Sequence, residues 1–387
     1  MKKILSLLLV VSMILVFGAC SAEKAETNTE NSGKEADAGN ETNTEAPADV
    51  TKIVLLVSGS LGDKSFHDSS QAGMDMIKEK YGDKVEVKTI EMGSDKTKFI
   101  PTLEDVSEEE WDIIITGTFH MKEHVEEVAP NYPEKTYILF DTAVNYDEIE
   151  GLDNVYSITY KQNEAGFLAG ALAAQMTTRT DVENINEEKK IGFLGAMDIP
   201  VINDFLVGYI EGGKYIDEDI KIDISYIDSF GDAAKGKELA LIQYQTKGVD
   251  IGFNVAGRAG LGQIEAAHET KMYAIGVDSD QAKLFADNEE KANRILSSAL
   301  KRVDNSLLRA LDMYFEGTIP KGKAEAVGLE EDGIGIAKNA YYEKLVPQEV
   351  REKMEEIEKE ISAGNIDVDS ALGMDSEVLA KLKESVK

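Results

Sequence analysis

Residues 51–68 read Thr51-Lys52-Ile53-Val54-Leu55-Leu56-Val57-Ser58-Gly59-Ser60-Leu61-Gly62-Asp63-Lys64-Ser65-Phe66-His67-Asp68. The near-continuous apolar run from Lys52 to Ser58 predicts a strand covered on both faces. The Gly, Ser and Asp residues after it predict a turn leading into a helix over Ser70–Tyr81. The same unit recurs down the chain. Further strands are predicted at Val85–Glu91, Trp111–Thr116, Thr136–Asp141, Val155–Tyr160, Lys190–Leu194, Lys221–Ile227, Val249–Val255, Met272–Val277 and Arg294–Ala299. Between them, helical patterns fall at Lys122–Ala129, Glu164–Met176, Val201–Tyr215, Ala233–Gln245, Leu261–Thr270 and Asp304–Glu316. Such alternation predicts βαβ units, an α/β fold and parallel sheets. Ten strands are too many for one compact layer, so two lobes are expected, dividing near Tyr160–Glu164. There the small-residue helix Ala165–Ala171 begins, whose composition suits close packing against a sheet.

The chain has 387 residues, enough for two or three domains, and Asp plus Glu outnumber Lys plus Arg by 73 to 41, a formal charge of −32. That balance argues against nucleic-acid binding, which needs clustered cations, and against adhesion to anionic lipid through a basic patch. With one cysteine, an intrachain disulfide and a Cys-rich zinc site are both excluded. The cysteine's position matters more. Lys2 and Lys3 precede an apolar run from Ile4 to Phe17, shorter than the roughly 20 residues that span a membrane, and Gly18-Ala19 lead into Cys20. Phe17-Gly18-Ala19-Cys20 resembles the bacterial lipoprotein box, with Phe17 where Leu is usual. Residues 1–19 are thus expected to be a signal peptide and Cys20 a lipidated thiol, which places the protein at the outer face of the cell membrane. Residues 21–50 hold eight acids, two lysines and no aromatic residue. They are expected to form, with Cys20, a disordered acidic tether with a mean reach of about 30 Å.

In open α/β sheets a ligand sits outside the carboxyl ends of the strands. The segments there are Ser58–Asp68, Asp141, Gly195–Pro200, Ala256–Gly260, Asp278–Gln281 and Lys301. Singly, each serves as a turn or helix cap; together they gather carboxylates, glycines and aromatic rings at one end of two sheets. No nucleophile elbow or P-loop occurs, and Gly257–Gly262 has the wrong spacing for a dinucleotide fingerprint. His120-Met121-Lys122-Glu123-His124 fits the H-x-x-E-H pattern of a zinc hydrolase, but it lies at the start of a predicted helix and catalytic zinc needs a further protein ligand. The expectation is a binding protein, not an enzyme, without a cofactor or metal.

Six stretches carry a family resemblance: Gly62–Phe66, Asn163–Gly170, Gly195–Phe205, Gly231–Glu238, Val255–Gly257 and Ala274–Gln281. In this order they resemble the basic membrane protein family of substrate-binding lipoproteins, the purine nucleoside receptor type, over Lys52 to about Gly364. The resemblance implies a type I periplasmic-binding-protein fold, two Rossmann-like lobes joined by a three-stranded hinge. On that fold residues 51–161 form lobe 1, completed by about 296–325. Residues 162–295 form lobe 2, completed by about 326–345, and 346–387 are C-terminal helical elements. It also implies a purine nucleoside ligand (inosine, guanosine or adenosine) and an ABC transporter permease as partner; a monomer is expected because a hinged body must open and close. Phe66 and Phe205 match positions assigned to stacking on the base, a contact worth about 1–3 kcal/mol. Asp278 and Lys301 match the ribose clamp, Gly257 admits backbone close to the sugar, and Asp63, His67 and Asp141 are candidates for the base edge. The family commonly has Asn where this chain has His67. A sugar or other small polar ligand would also suit the acids and rings, as would a role in sensing.

Overall fold

The computed structural model describes residues 50–387; the expected signal segment, Cys20 and the acidic tether up to residue 49 lie outside the described residues. Strand β1 (Thr51–Val57) is apolar and buried from Ile53 to Val57 because it feeds two cores. Ile53 and Leu55 enter one hydrophobic cluster and Val54 and Leu56 another, on the opposite face of the sheet. The first lobe continues through α1 (Phe66–Tyr81), β2 (Val85–Glu91), α2 (Phe99–Glu108), β3 (Ile113–Gly117), α3 (Lys122–Val128), β4 (Thr136–Phe140) and β5 (Val155–Tyr160). The second comprises α4 (Gln162–Thr177), β6 (Lys190–Gly195), α5 (Pro200–Ile216), β7 (Lys221–Tyr226), α6 (Ala233–Thr246), β8 (Ile251–Val255), α7 (Leu261–Thr270) and β9 (Tyr273–Asp278). Two short helices, α8 (Gln281–Leu284) and α9 (Glu289–Ala292), then lead to β10 (Ile295–Lys301). After β10 come α10 (Val303–Phe315), β11 (Lys323–Val327), β12 (Ile334–Ile336), α11 (Ala340–Leu345), α12 (Gln348–Ser362) and α13 (Ser376–Glu384).

Two six-stranded sheets result, ordered β11-β5-β4-β3-β1-β2 and β12-β10-β9-β8-β6-β7. All described pairings are parallel except β12 with β10. The strand order reverses between β1 and β3 and again between β6 and β8, which gives each lobe a crevice at its carboxyl edge. The fold is the two-lobed α/β architecture of type I periplasmic binding proteins. Its three crossings lie at Lys161, at Arg302 and in residues 328–333, and backbone bonds tie them together. The Lys161 amide donates to Val327 O at 2.9 Å and the Arg302 amide to Gly333 O at 2.8 Å.

Three expectations need correction. Residues 296–301 do not return to the first lobe, because β10 is hydrogen-bonded in the second sheet; the chain recrosses at Arg302, and α10 packs on α1. Strands β11 and β12 were not foreseen: β11 is an edge strand with mostly exposed side chains, and β12 is three residues long. Helix α2 was missed as well; its Pro101 sits in the first turn, where a missing N–H costs nothing.

The small-residue helix α4 packs against a helix as well as a sheet. A Cβ at Gly166 would strike the carbonyl of Phe205, and one at Gly208 the carbonyl of Asn163, so α4 and α5 touch backbone to backbone. The C-terminal segment closes over this pair. Met354 and Ile357 of α12 are buried, and Asp204 of α5 accepts from Ser370 Oγ at 2.6 Å, the Ala371 amide at 2.8 Å and Gln162 Nε2 at 2.7 Å. The helix carrying Phe205 is thereby anchored from behind.

Candidate ligand-binding site

A cavity of about 580 Å³ lies between the carboxyl edges of the two sheets. All eight residues singled out from the sequence line it: Asp63, Phe66, His67 and Asp141 from the first lobe, and Phe205, Gly257, Asp278 and Lys301 from the second. They converge because Asp63, Asp141 and Gly257 sit in segments that follow strands, Phe66 and His67 open α1, Asp278 and Lys301 are the last residues of β9 and β10, and α5 delivers Phe205 from its second turn.

The deep end is charged. Lys301 Nζ lies 2.6 Å from Asp141 Oδ1, an ion pair between lobes whose side chains are 3% and 10% exposed. The same ammonium lies over three rings, Phe205 at 5.2 Å, Tyr160 at 5.5 Å and Phe66 at 5.8 Å, so π faces assist in holding a desolvated cation. Asp278 accepts a hydrogen bond from the Ser65 hydroxyl of the opposite lobe. Burial pushes its pKa up to about 6, with the Lys301 charge and the Ser65 bond pulling the other way. Asp141 and Asp278 both sit in the left-handed region, at φ 64° and 63°. Asp tolerates that conformation better than bulkier residues, and local backbone cost of this kind gathers at functional sites.

The remaining expected residues divide. Phe66 packs against Phe140 with centroids 5.5 Å apart and presents an apolar wall. Phe205 also faces the cavity but is 2% exposed and rests edge-on against Phe253, so most of its ring belongs to the core. Gly257 adopts φ 52°, a conformation glycine takes freely. His67 is held against Gly59, where a Cβ would collide with its ring, and burial lowers its pKa against the opposing pull of Asp63 and Asp68. The neutral imidazole then offers one donor and one acceptor. Asp63 departs from the base-edge expectation. Its carboxylate accepts from the amides of Ser65, His67 and Asp68 at 3.0, 3.0 and 3.1 Å, so it caps α1 and shapes the loop.

Residues not singled out from the sequence complete the cavity. Phe119 and Phe230, 42% and 37% exposed, flank its mouth from opposite lobes. Their signal was an unprotected aromatic side chain one to four residues after a strand. Arg258 reaches across to donate to Leu61 O at 2.8 Å. Lys64 Nζ donates to Leu284 O at 2.6 Å, Gln281 Nε2 to Lys64 O at 2.9 Å and Ser279 Oγ to Ser65 O at 2.9 Å. Loop 61–65 thus fastens the lobes in a closed arrangement. His120 lies on the cavity wall ahead of α3, whereas His124 lies within the helix and packs edge-on against Phe99. The two histidines therefore do not share one helix face, and among the described residues no group of three or more His, Cys, Asp or Glu side chains is placed to hold a metal.

The family model described as ABC transporter substrate-binding protein PnrA-like matches residues 50–367. Basic membrane protein A of Borreliella burgdorferi is 30% identical over 81% of this chain and 86% of its own length. The ABC transporter nucleoside-binding protein BmpA of Lactococcus lactis is 27% identical over 74% and 81%. A crystal structure of an ABC transporter solute-binding protein from Aeropyrum pernix superposes with a TM-score of 0.73 at 26% identity, covering 87% of this chain and 98% of that one. The match spans both lobes and the whole cavity, and a family of this kind binds substrates for transporters and is not enzymatic. The chain belongs to the PnrA-like family of ABC transporter substrate-binding proteins.

Proposed function

We propose that this protein is an extracytoplasmic, lipid-anchored receptor that captures purine nucleosides and passes them to an ABC permease. The observation that carries the reading is the cavity's division of labour. Phe66, Phe205, Phe119 and Phe230 supply apolar faces for a base, while Asp141 and Asp278 supply buried acceptors for sugar hydroxyls. Lys301 offsets the two carboxylates, so a neutral ligand meets acceptors without a large local charge. His67 then addresses an edge of the base. A sugar alone would use the charged end and leave the aromatic mouth without a task, so it is the second choice. The nucleoside-binding relative from Lactococcus lactis points the same way.

Capture requires no chemistry beyond hinge closure, with the three crossings as pivots. Calorimetric titration with inosine, guanosine, adenosine, cytidine and ribose tests the reading. Purine nucleosides should bind at least tenfold more tightly than ribose, and ribose binding without purine preference would overturn it. The anchor is tested separately: Cys20→Ser should abolish incorporation of labelled fatty acid and release the protein from membranes. A single monomeric species in sedimentation, with or without nucleoside, is the expected state.

A further inference from the structure

The charge balance inside the cavity departs from that of the chain. Acids exceed bases by 73 to 41 overall. The cavity lining instead carries three carboxylates, Asp63, Asp141 and Asp278, against three permanent cations, Lys96, Arg258 and Lys301. These charges are also segregated by depth. Asp63 is spent on the amides of α1, and Asp141, Asp278 and Lys301 form the deep ion cluster. Lys96, His120 and Arg258 line the same cavity with the hydroxyls of Ser60, Ser94 and Thr118, and no remaining lining residue is acidic.

Acids near this cationic set are engaged by backbone amides or by other cations: Asp68, beside the loop that Arg258 touches, accepts from the Gly62 and Lys64 amides at 2.6 and 2.9 Å. Asp95 accepts from the Thr97 amide at 3.1 Å and its hydroxyl at 2.7 Å, and Glu91 accepts from the Leu61 amide at 2.8 Å. Across the cleft, Asp232 caps α6 through the Lys235 amide and Asp228 pairs with Lys235 Nζ at 3.0 Å. Among the described residues Lys96 has no ion-pair partner. Its ammonium lies close enough to His120 to disfavour a charged imidazole there, secondary to the effect of burial. Arg258 has five N–H donors, and among the described residues its hydrogen bond is the one to Leu61 O. In a protein of net charge −32, Lys96 without an ion-pair partner among the described residues, Arg258 and three hydroxyls line one cavity and offer donors to a negatively charged oxygen.

We propose that this part of the cavity is a subsite for an anionic oxygen group on the ligand, so that the protein takes ionised nucleosides as well as neutral ones. This rests on the nucleoside reading above. The anionic oxygen has two chemical sources, a phosphate ester on the sugar or an oxopurine base ionised near neutral pH. Titration of the full-length chain with guanosine, guanosine 5′-monophosphate, xanthosine at pH 7.5 and inorganic phosphate separates them. At least one anionic nucleoside should bind within about tenfold of guanosine, and its affinity alone should fall severalfold between 50 and 500 mM salt. Preference for the monophosphate identifies the ester, and preference for xanthosine the base. Lys96→Gln should lower the ratio of anionic to neutral affinity roughly three- to tenfold. Guanosine binding with both anions more than 100-fold weaker, or a Lys96→Gln ratio equal to wild type, would overturn the subsite and leave the nucleoside reading intact. Binding of ribose without guanosine preference would remove both.

Discussion

On the proposed reading Asp278→Asn should weaken ligand capture and raise stability, and both changes follow from the position of one carboxylate. Asp278 is 7% exposed and its pKa is raised to about 6 by burial. An unfolded aspartate titrates near about 3.9, so the folded protein disfavours the ionised form by about 3 kcal/mol. The attraction of Lys301 is already contained in that net shift, so a neutral Asn should gain up to about 3 kcal/mol at pH 7.5. Backbone geometry should survive, because Asn tolerates the left-handed φ of 63° and its Oδ1 can accept from Ser65. The sign follows from linkage. A carboxyl whose folded pKa lies above its unfolded value binds protons more tightly when folded, so its cost is absent below about pH 4, grows as pH rises and is complete above about pH 7. Urea unfolding of the ligand-free protein should therefore show the variant equal to wild type near pH 4 and more stable at pH 7.5. Guanosine affinity should fall at least tenfold, because an amide replaces a charged acceptor of hydroxyl donors. A variant less stable than wild type at pH 7.5, or a difference that does not change with pH, would refute the account of Asp278 as a strained functional acid.

The other expected outcomes are simpler. Phe66→Ala should weaken purine nucleoside binding by at least about 1 kcal/mol in calorimetry while leaving ribose binding less affected, if the base stacks on the ring face as proposed. His67 has the opposite linkage to Asp278: burial lowers its pKa, so its stability contribution is complete above the unfolded value near about 6.5 and is lost as pH falls below it. Asp63, Asp68, Arg258 and Asp141 are the charges around it, and His67→Asn should flatten the loss of unfolding midpoint between pH 7 and pH 5. Gly208→Ala places a Cβ on the Asn163 carbonyl and should cost about 3 kcal/mol in denaturant unfolding. Because Phe205 shares that helix, nucleoside affinity should fall with it.

Strands buried on both faces were legible because nothing polar interrupts them; Ile53–Val57 and Ile113–Ile115 are buried at every position. Strand β11 was not, since its Lys323-Ala324-Glu325-Ala326-Val327 sequence lies at a sheet edge with only Val327 buried, and Glu325 is accommodated by pairing with Arg309. Asp141, Asp278 and Lys301 were legible from position, as charged residues where a strand stops. Phe205 had no such signal and came from family resemblance. The capping by Asp63 was hidden because its three amide partners depend on how loop 62–66 folds, not on the residues alone. Lys96, Phe119, His120 and Phe230 come from the ends of β2, β3 and β7. Their shared cavity exists only once two lobes face each other, a relation that no local pattern encodes.

On the proposed reading, recognition and closure use the same atoms. Lys301 is the last residue of β10, and the next residue, Arg302, crosses between lobes, its guanidinium donating to Asp304 and Asn305 on α10. Lys301 itself bonds Asp141 of the opposite lobe, and Asp278 bonds Ser65 across the same gap. Opening the hinge must return an ammonium and two carboxylates to water; closing must desolvate them, at several kcal/mol per ion. The Lys301–Asp141 attraction recovers part of that cost, and the raised pKa of Asp278 marks a part not recovered. A ligand hydroxyl donating to Asp278 would stabilise the ionised carboxylate only when the lobes are shut, which is the differential affinity that a ligand needs to shift a hinge equilibrium. On the proposed reading, the sugar end of the ligand drives closure through the deep ion cluster, while the base end sets selectivity through Phe66 and His67.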